Sequence, residues 1–95
     1  MKVHLGEIVY ANAGRDAGKY FIVLSAKDGY LHLCDGKSRK TDSLKKKNVK
    51  HVLLTGVCDV NIQDKLKRGE EVTNRQVRES VSKYKGCCEE IIIKE

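Results

Sequence analysis

The sequence predicts a mainly β domain: a small, strongly curved barrel over residues 1–56, with a helical appendix over residues 57–95 packed on it as one structural unit. Three observations carry this. Short runs of β-branched and aromatic residues recur through the first 55 positions, each bounded by a glycine-containing turn. Four or five short strands in so short a stretch suit a curved, closing sheet better than an open one. After Thr55-Gly56 the apolar residues change to a helical period. At 95 residues the chain can build one modest core and not two.

The elements follow in order. Glu7-Ile8-Val9-Tyr10-Ala11 is the first strand, and Lys19 to Ser25, centred on Tyr20-Phe21-Ile22-Val23-Leu24, is the second. Between them lies Gly14-Arg15-Asp16-Ala17-Gly18-Lys19. Two glycines four apart allow positive φ and a close backbone approach, so the basic residues beside them can meet phosphates without a bulky neighbour. Lys27-Asp28-Gly29 is a turn signal and Tyr30-Leu31-His32-Leu33-Cys34 the third strand. Asp35-Gly36 turns the chain into a basic segment, Lys37 to Lys50, and Val49 to Leu54 reads as a fourth strand.

Beyond Gly56, Asn61 to Arg68 gives a helical turn or two, with Gly69 as its stop. Thr73 and Gln76 form a capping box for a second helix, and Val72 can staple to Val77. Val77, Val81 and Tyr84 then mark its packed face, leaving Arg75, Arg78, Glu79 and Lys83 in water. Gly86 is expected to end this helix, and Ile91-Ile92-Ile93, short and β-rich in type, to return as an edge strand. The appendix is expected to fold onto the barrel, because neither piece has much apolar surface alone.

Charge divides the chain. Residues 1–56 hold eleven Lys/Arg against five Asp/Glu, whereas residues 57–95 hold eight of each, so the net charge of +6 belongs wholly to the first part. Lys37, Arg39, Lys40, Lys45, Lys46, Lys47 and Lys50 crowd one segment whose single acid is Asp42. A polyanionic partner is the natural inference for that half, against a merely solvated loop. Phosphate contacts of this kind supply affinity rather than sequence discrimination. The second helix carries mixed charge and is ill suited to the DNA major groove. A curved sheet with basic loops suits structured RNA, read by shape, phosphate and 2′-hydroxyl. Tyr10, Tyr20, Phe21 and Tyr30 are candidates for base stacking, but they sit inside apolar runs and are too few for a single-strand platform.

Catalysis has weaker support. Cys34 or Cys58 with His32 or His51 could form a thiol–imidazole pair, with Asp35 to orient the histidine, but no nucleophile elbow or oxyanion turn accompanies it. Gly14 to Lys19 lacks the Ser/Thr and the following helix of a nucleotide-binding loop. Cys34 and Cys58 lie in apolar strand contexts and Cys87-Cys88 are adjacent, so reduced thiols acting as small hydrophobes are expected, with no metal and no cofactor. No apolar run approaches the ~20 residues that span a bilayer. Met1-Lys2 is followed at once by His4 and Glu7, without a signal-peptide core, so the cytoplasm is the expected compartment and no membrane partner is expected.

Gly6-Glu7-Ile8-Val9, then Ala13-Gly14-Arg15-Asp16-Ala17-Gly18-Lys19 and an apolar strand, resembles a KOW motif, a strand–loop–strand element of SH3-like barrels in ribosomal proteins and transcription elongation factors. More narrowly, residues 6–55 resemble the archaeal and eukaryotic large-subunit ribosomal protein family called fourteen-e. Gly36-Lys37 stands where that family has a glycine-lysine turn, and Lys45-Lys46-Lys47-Asn48-Val49-Lys50-His51 resembles its basic triplet followed by Asn-Val/Ile-Lys-His. The chain departs from it in lacking a proline soon after His51 and in its neutral tail past residue 57. The resemblance implies an SH3-like barrel of KOW type that binds ribosomal RNA and has no catalytic activity. Arg15 and Lys19 would be loop contacts, Lys45, Lys46, Lys47, Lys50 and His51 would line the RNA face, and Asn12 stands beside the loop. With Lys37, Arg39 and Lys40 these make up the expected RNA-binding set. The alternative is an SH3-like protein-interaction module whose basic surface serves solubility or an acidic peptide.

Overall fold

The computed structural model describes residues 3–12, 14 and 17–94, the last ten by backbone alone. Five strands, β1 (Glu7–Ala11), β2 (Tyr20–Lys27), β3 (Tyr30–Cys34), β4 (Lys45–Asn48) and β5 (Val52–Cys58), form one antiparallel sheet in the order β4-β3-β2-β1-β5. A 3-10 turn (Val49–His51) joins β4 to β5, and helices α1 (Val60–Lys67) and α2 (Asn74–Lys94) follow. Mainly β with a helical appendix is therefore correct.

The barrel expectation holds only in part. β4 and β5 occupy the two edges and are not hydrogen-bonded to each other, so the sheet is not closed. It nevertheless has to curl. In a flat sheet the outer strands of five would stand about 19 Å apart, whereas three residues of 3-10 turn advance about 6 Å. Two irregularities provide the bend. β2 carries an extra residue between Val23 and Ser25, and β5 carries extra residues opposite Ile8.

The second irregularity corrects the sequence reading. Thr55-Gly56 was expected to end the β region, but β5 runs through it to Cys58. Glu7, 2 % exposed, holds the bulge: one carboxylate oxygen accepts the Gly56 N–H at 3.1 Å and the other the His4 N–H at 3.2 Å. The Thr55 hydroxyl donates to the Ile8 carbonyl. Turn chemistry inside the strand had the look of a boundary.

The curled sheet separates two apolar clusters. Val9, Ala11, Phe21, Val23, Leu31, Leu33 and Val52 fill one face, and Val3, Leu5, Ala26 and Val49 pack against them. Ile8, Tyr20, Ile22 and Cys34 face the other way and are covered by Ile62, Val72 and Val77, which arrive with the helices. Alternation along β1 and β2 thus sends neighbouring residues to opposite clusters. Tyr20 packs its ring against Tyr10 and Tyr84, at centroid distances of 4.9 and 5.7 Å. Tyr20 and Phe21 are therefore core and not stacking surfaces, and only Tyr30 is exposed.

The helix ends follow local chemistry. Asp59 caps α1 by accepting the Ile62 N–H, so the helix begins at Val60, one residue before the expected Asn61. At the other end Gly69 donates to the Leu66 carbonyl and Glu70 to that of Lys65, the paired bonds of a Schellman stop. The capping box of α2 is present in both directions: Thr73 N–H to Gln76 Oε1 at 3.0 Å, and Gln76 N–H to Thr73 Oγ1 at 3.2 Å. Replacing Thr73 with Ala is expected to cost about 1 kcal/mol in urea denaturation. A loss below a few tenths would mean that tertiary packing alone sets this helix start.

Two expected elements are corrected. Gly86 does not end α2, and Ile91–Ile93 do not form a strand, because the helix continues to Lys94. A nucleated helix gains one hydrogen bond per added residue. One glycine costs only about 1 kcal/mol, and no proline intervenes. The fourth strand is not Val49–Leu54. Lys45–Asn48 forms it, three turn residues follow, and Val52 starts the fifth. An edge strand tolerates lysines because its outer side faces water, and charge there discourages pairing with a second sheet. No helix among the described residues is long and apolar enough to cross a membrane.

Candidate nucleic-acid interface

The loop between β1 and β2 is anchored at its base by Ala11, whose N–H donates to the Lys19 carbonyl and whose carbonyl accepts from Gly18, both at 2.9 Å. Across the sheet edge, the Asn12 N–H donates to the His51 carbonyl at 3.3 Å. This bond ties the loop to the 3-10 turn, on which Lys50 and His51 are both exposed. Asn48 fixes that turn by accepting the Lys50 N–H on its side chain at 2.9 Å.

The loop also meets β4. A Cβ placed on Gly14 would lie 3.5 Å from Lys47 Nζ, so that ammonium stands directly beside the loop backbone. Asn12, the Gly14 backbone, Lys47, Lys50 and His51 therefore share one surface, although more than thirty residues separate its two parts in sequence. Arg15 lies outside the described residues.

The lysine triplet does not act as one tract. β4 pairs with β3 in the register Leu33 to Lys45, His32 to Lys46 and Leu31 to Lys47. Paired residues share a face, so Lys45 and Lys47 flank the buried Leu33 and Leu31, with their stems along the rim of that cluster. Lys46 points the other way and places its ammonium 4.5 Å from the ring centroid of Tyr30. Lys46 thus lies on the other face of the strand from Lys45 and Lys47, the latter being the one beside the loop.

Lys37, Arg39 and Lys40 lie on the β3–β4 connection. Asp35 organises it, accepting the Lys37 and Arg39 N–H groups on one carboxylate oxygen at 2.8 and 2.9 Å. The connection docks on the start of α2: Thr41 N–H donates to Asn74 Oδ1 at 2.7 Å, and Arg78 Nη1 donates to the Gly36 carbonyl at 3.1 Å. Lys37 and Lys19 are both exposed and line one cleft with Arg78 and Ser82 of α2, whereas Arg39 is half-buried and Lys40 exposed further along the turn.

Arg78 was not among the expected contacts. Its helix belongs to the half with no net charge, which hid it. That neutrality is uneven: Arg75 pairs with Glu79 at 3.0 Å and Arg68 with Glu70, while Arg78 turns toward the basic half of the molecule.

The thiol chemistry is unfavourable. Burial, with a smaller contribution from the neighbouring Asp35 charge, pushes the Cys34 thiol up to about 12, so it stays protonated at neutral pH. Cys58 is also raised, by burial and then by the Glu7 charge. His32 lies on β3 between core leucines, its Nδ1 buried and without a hydrogen-bond partner among the described residues. No group of three or more metal-ligating side chains occurs among the described residues. No protein-family model matches the chain, and no curated protein matches it significantly.

Proposed function

We propose that the chain binds structured RNA, ribosomal RNA in the first place, without catalysis, using a curled SH3-like sheet of KOW type. The carrying observation is convergence. The glycine loop, the inner lysines of β4 and the 3-10 turn meet through the Gly14–Lys47 approach and the Asn12–His51 bond. Such a surface follows a phosphate backbone without demanding a base sequence. The order β4-β3-β2-β1-β5, with a three-residue turn joining the edge strands, supports an SH3-like description. The exposed face of α2 mixes Arg75 with Glu79, which disfavours major-groove insertion and favours an RNA shape reader. The large ribosomal subunit is the assembly in which such an RNA would be met, and the cytoplasm the compartment.

A protein-binding module is the second reading, and β5 is the observation that favours it. Leu53, Leu54 and Val57 are 53 %, 41 % and 44 % exposed on an edge strand that carries no charge.

Fluorescence anisotropy separates the two. The protein is titrated with an rRNA hairpin, a matched DNA duplex and single-stranded RNA at several salt concentrations. Tightest binding to the hairpin is expected, with log K falling steeply with log salt, by ~0.9 per phosphate contact. Absence of binding to all three at low salt would discard the RNA reading and leave the β5 surface as the site to pursue.

A further inference from the structure

We propose that a cleft between the β1–β2 loop, the β3–β4 turn and α2 binds a phosphate group, that of a phosphodiester in the RNA, which makes α2 part of the interface. The inference rests on the RNA reading above. The cleft has a volume of about 250 Å³ and is lined by Gly18, Lys19, Asp35, Lys37, Arg78 and Ser82 among others. That leaves room for several water-sized groups of about 30 Å³ each.

Three cations from three separate elements converge there against one carboxylate. One oxygen of that carboxylate is engaged, since Asp35 Oδ1 accepts two backbone N–H groups of its own turn. Arg78 spends one N–H on the Gly36 carbonyl. That bond tethers the guanidinium beside the cleft and leaves further donors of its five in the same fork. A planar fork held in place is the arrangement that recognises phosphate bidentately, whereas lysines contribute as mobile point charges. Arg78 and Ser82 are four apart on α2 and so lie on one stripe of the helix, adding a hydroxyl beside the guanidinium. Lys19 closes the loop that carries Gly14 beside Lys47, so the cleft continues the described surface around the molecule. A metal ion is disfavoured by this lining, since the cations outnumber the single carboxylate.

The test uses the full chain and two probes. Inorganic phosphate is titrated into labelled protein, followed by amide shifts of Gly18, Lys19, Lys37 and Ser82. The rRNA hairpin is titrated into wild type, Arg78→Gln and Ser82→Glu at several salt concentrations. Ser82 is exposed, so its variant keeps the packing even if Arg78→Gln loosens the turn. The expected result is phosphate-induced shifts at those amides and about a tenfold loss of hairpin affinity in each variant. In Arg78→Gln the salt slope should also fall by ~0.9. Wild-type affinity and slope in both variants would overturn the proposal while leaving RNA binding intact. Phosphate shifts in a protein that binds no hairpin would overturn the RNA source and support a free phosphate as the ligand. Neither shifts nor hairpin binding would overturn both.

Discussion

Gly36→Ala is expected to destabilise the fold by about 3 kcal/mol, against about 1 kcal/mol for Gly29→Ala. Both glycines hold positive φ, +79° and +80°, so both substitutions pay for a left-handed alanine. Their surroundings differ. A Cβ at Gly29 meets nothing within 4 Å, whereas at Gly36 it would lie 2.4 Å from the Asn74 carbonyl oxygen and 2.6 Å from Arg78 Cγ. A backbone carbonyl cannot swing aside as a side-chain tip can, so the turn or the start of α2 has to move. Movement there also strains the Thr41–Asn74 and Arg78–Gly36 hydrogen bonds. In thermal unfolding the difference should appear as a drop in Tm of roughly 15 °C for Gly36→Ala. Equal losses in the two variants would mean that the β3–β4 turn does not dock on α2, and the cleft beside it would lose its wall. Arg78 gives the measurement a functional side. A folded Gly36→Ala protein should bind RNA less well, because the guanidinium loses its anchor.

Much of the architecture was legible because each feature had a local cause. Asp28-Gly29 sits at positive φ, 54° and 80°, between the paired Lys27 and Tyr30, as expected for a two-residue hairpin with aspartate-glycine at its tip. The Thr73–Gln76 box and Gly69 marked helix ends by side-chain or backbone bonds that reach only a few residues. What failed depended on partners distant in sequence. Lys45–Asn48 has no apolar alternation of its own and becomes a strand because β3 offers it a ladder. Thr55-Gly56 looked like a terminus because the residues that stabilise it within a strand, Glu7 and Ile8, lie some forty-eight positions earlier. Ile91–Ile93 carried strand propensity, a weak preference that an already formed helix overrides. The same holds for the candidate interface. Its basic members could be named from the segment that holds them, but the side each one faces is set by pairing register. Arg78 became visible only once the turn carrying Gly36 was placed against it.

Register also decides how the lysine triplet should respond to mutation. Lys45→Gln combined with Lys47→Gln is expected to lower hairpin affinity at least tenfold at about 0.05 M salt and to reduce the salt slope by up to ~1.8, two contacts' worth. Lys46→Gln should have a much smaller effect, because its ammonium lies over Tyr30 on the opposite face from the glycine loop. Glutamine keeps a polar side chain at each edge position and most of the stem, so changes in packing or sheet-edge pairing stay small; gel filtration checks the latter directly. A triplet acting as diffuse surface charge would give three nearly equal single-site losses, whatever the face. A triplet serving only to guard the β4 edge would leave hairpin affinity unchanged and promote self-association when neutralised. An unequal pattern, with Lys45 and Lys47 above Lys46, is the outcome that requires a phosphate path along the inner rim of the sheet, past Gly14 and over the 3-10 turn to His51.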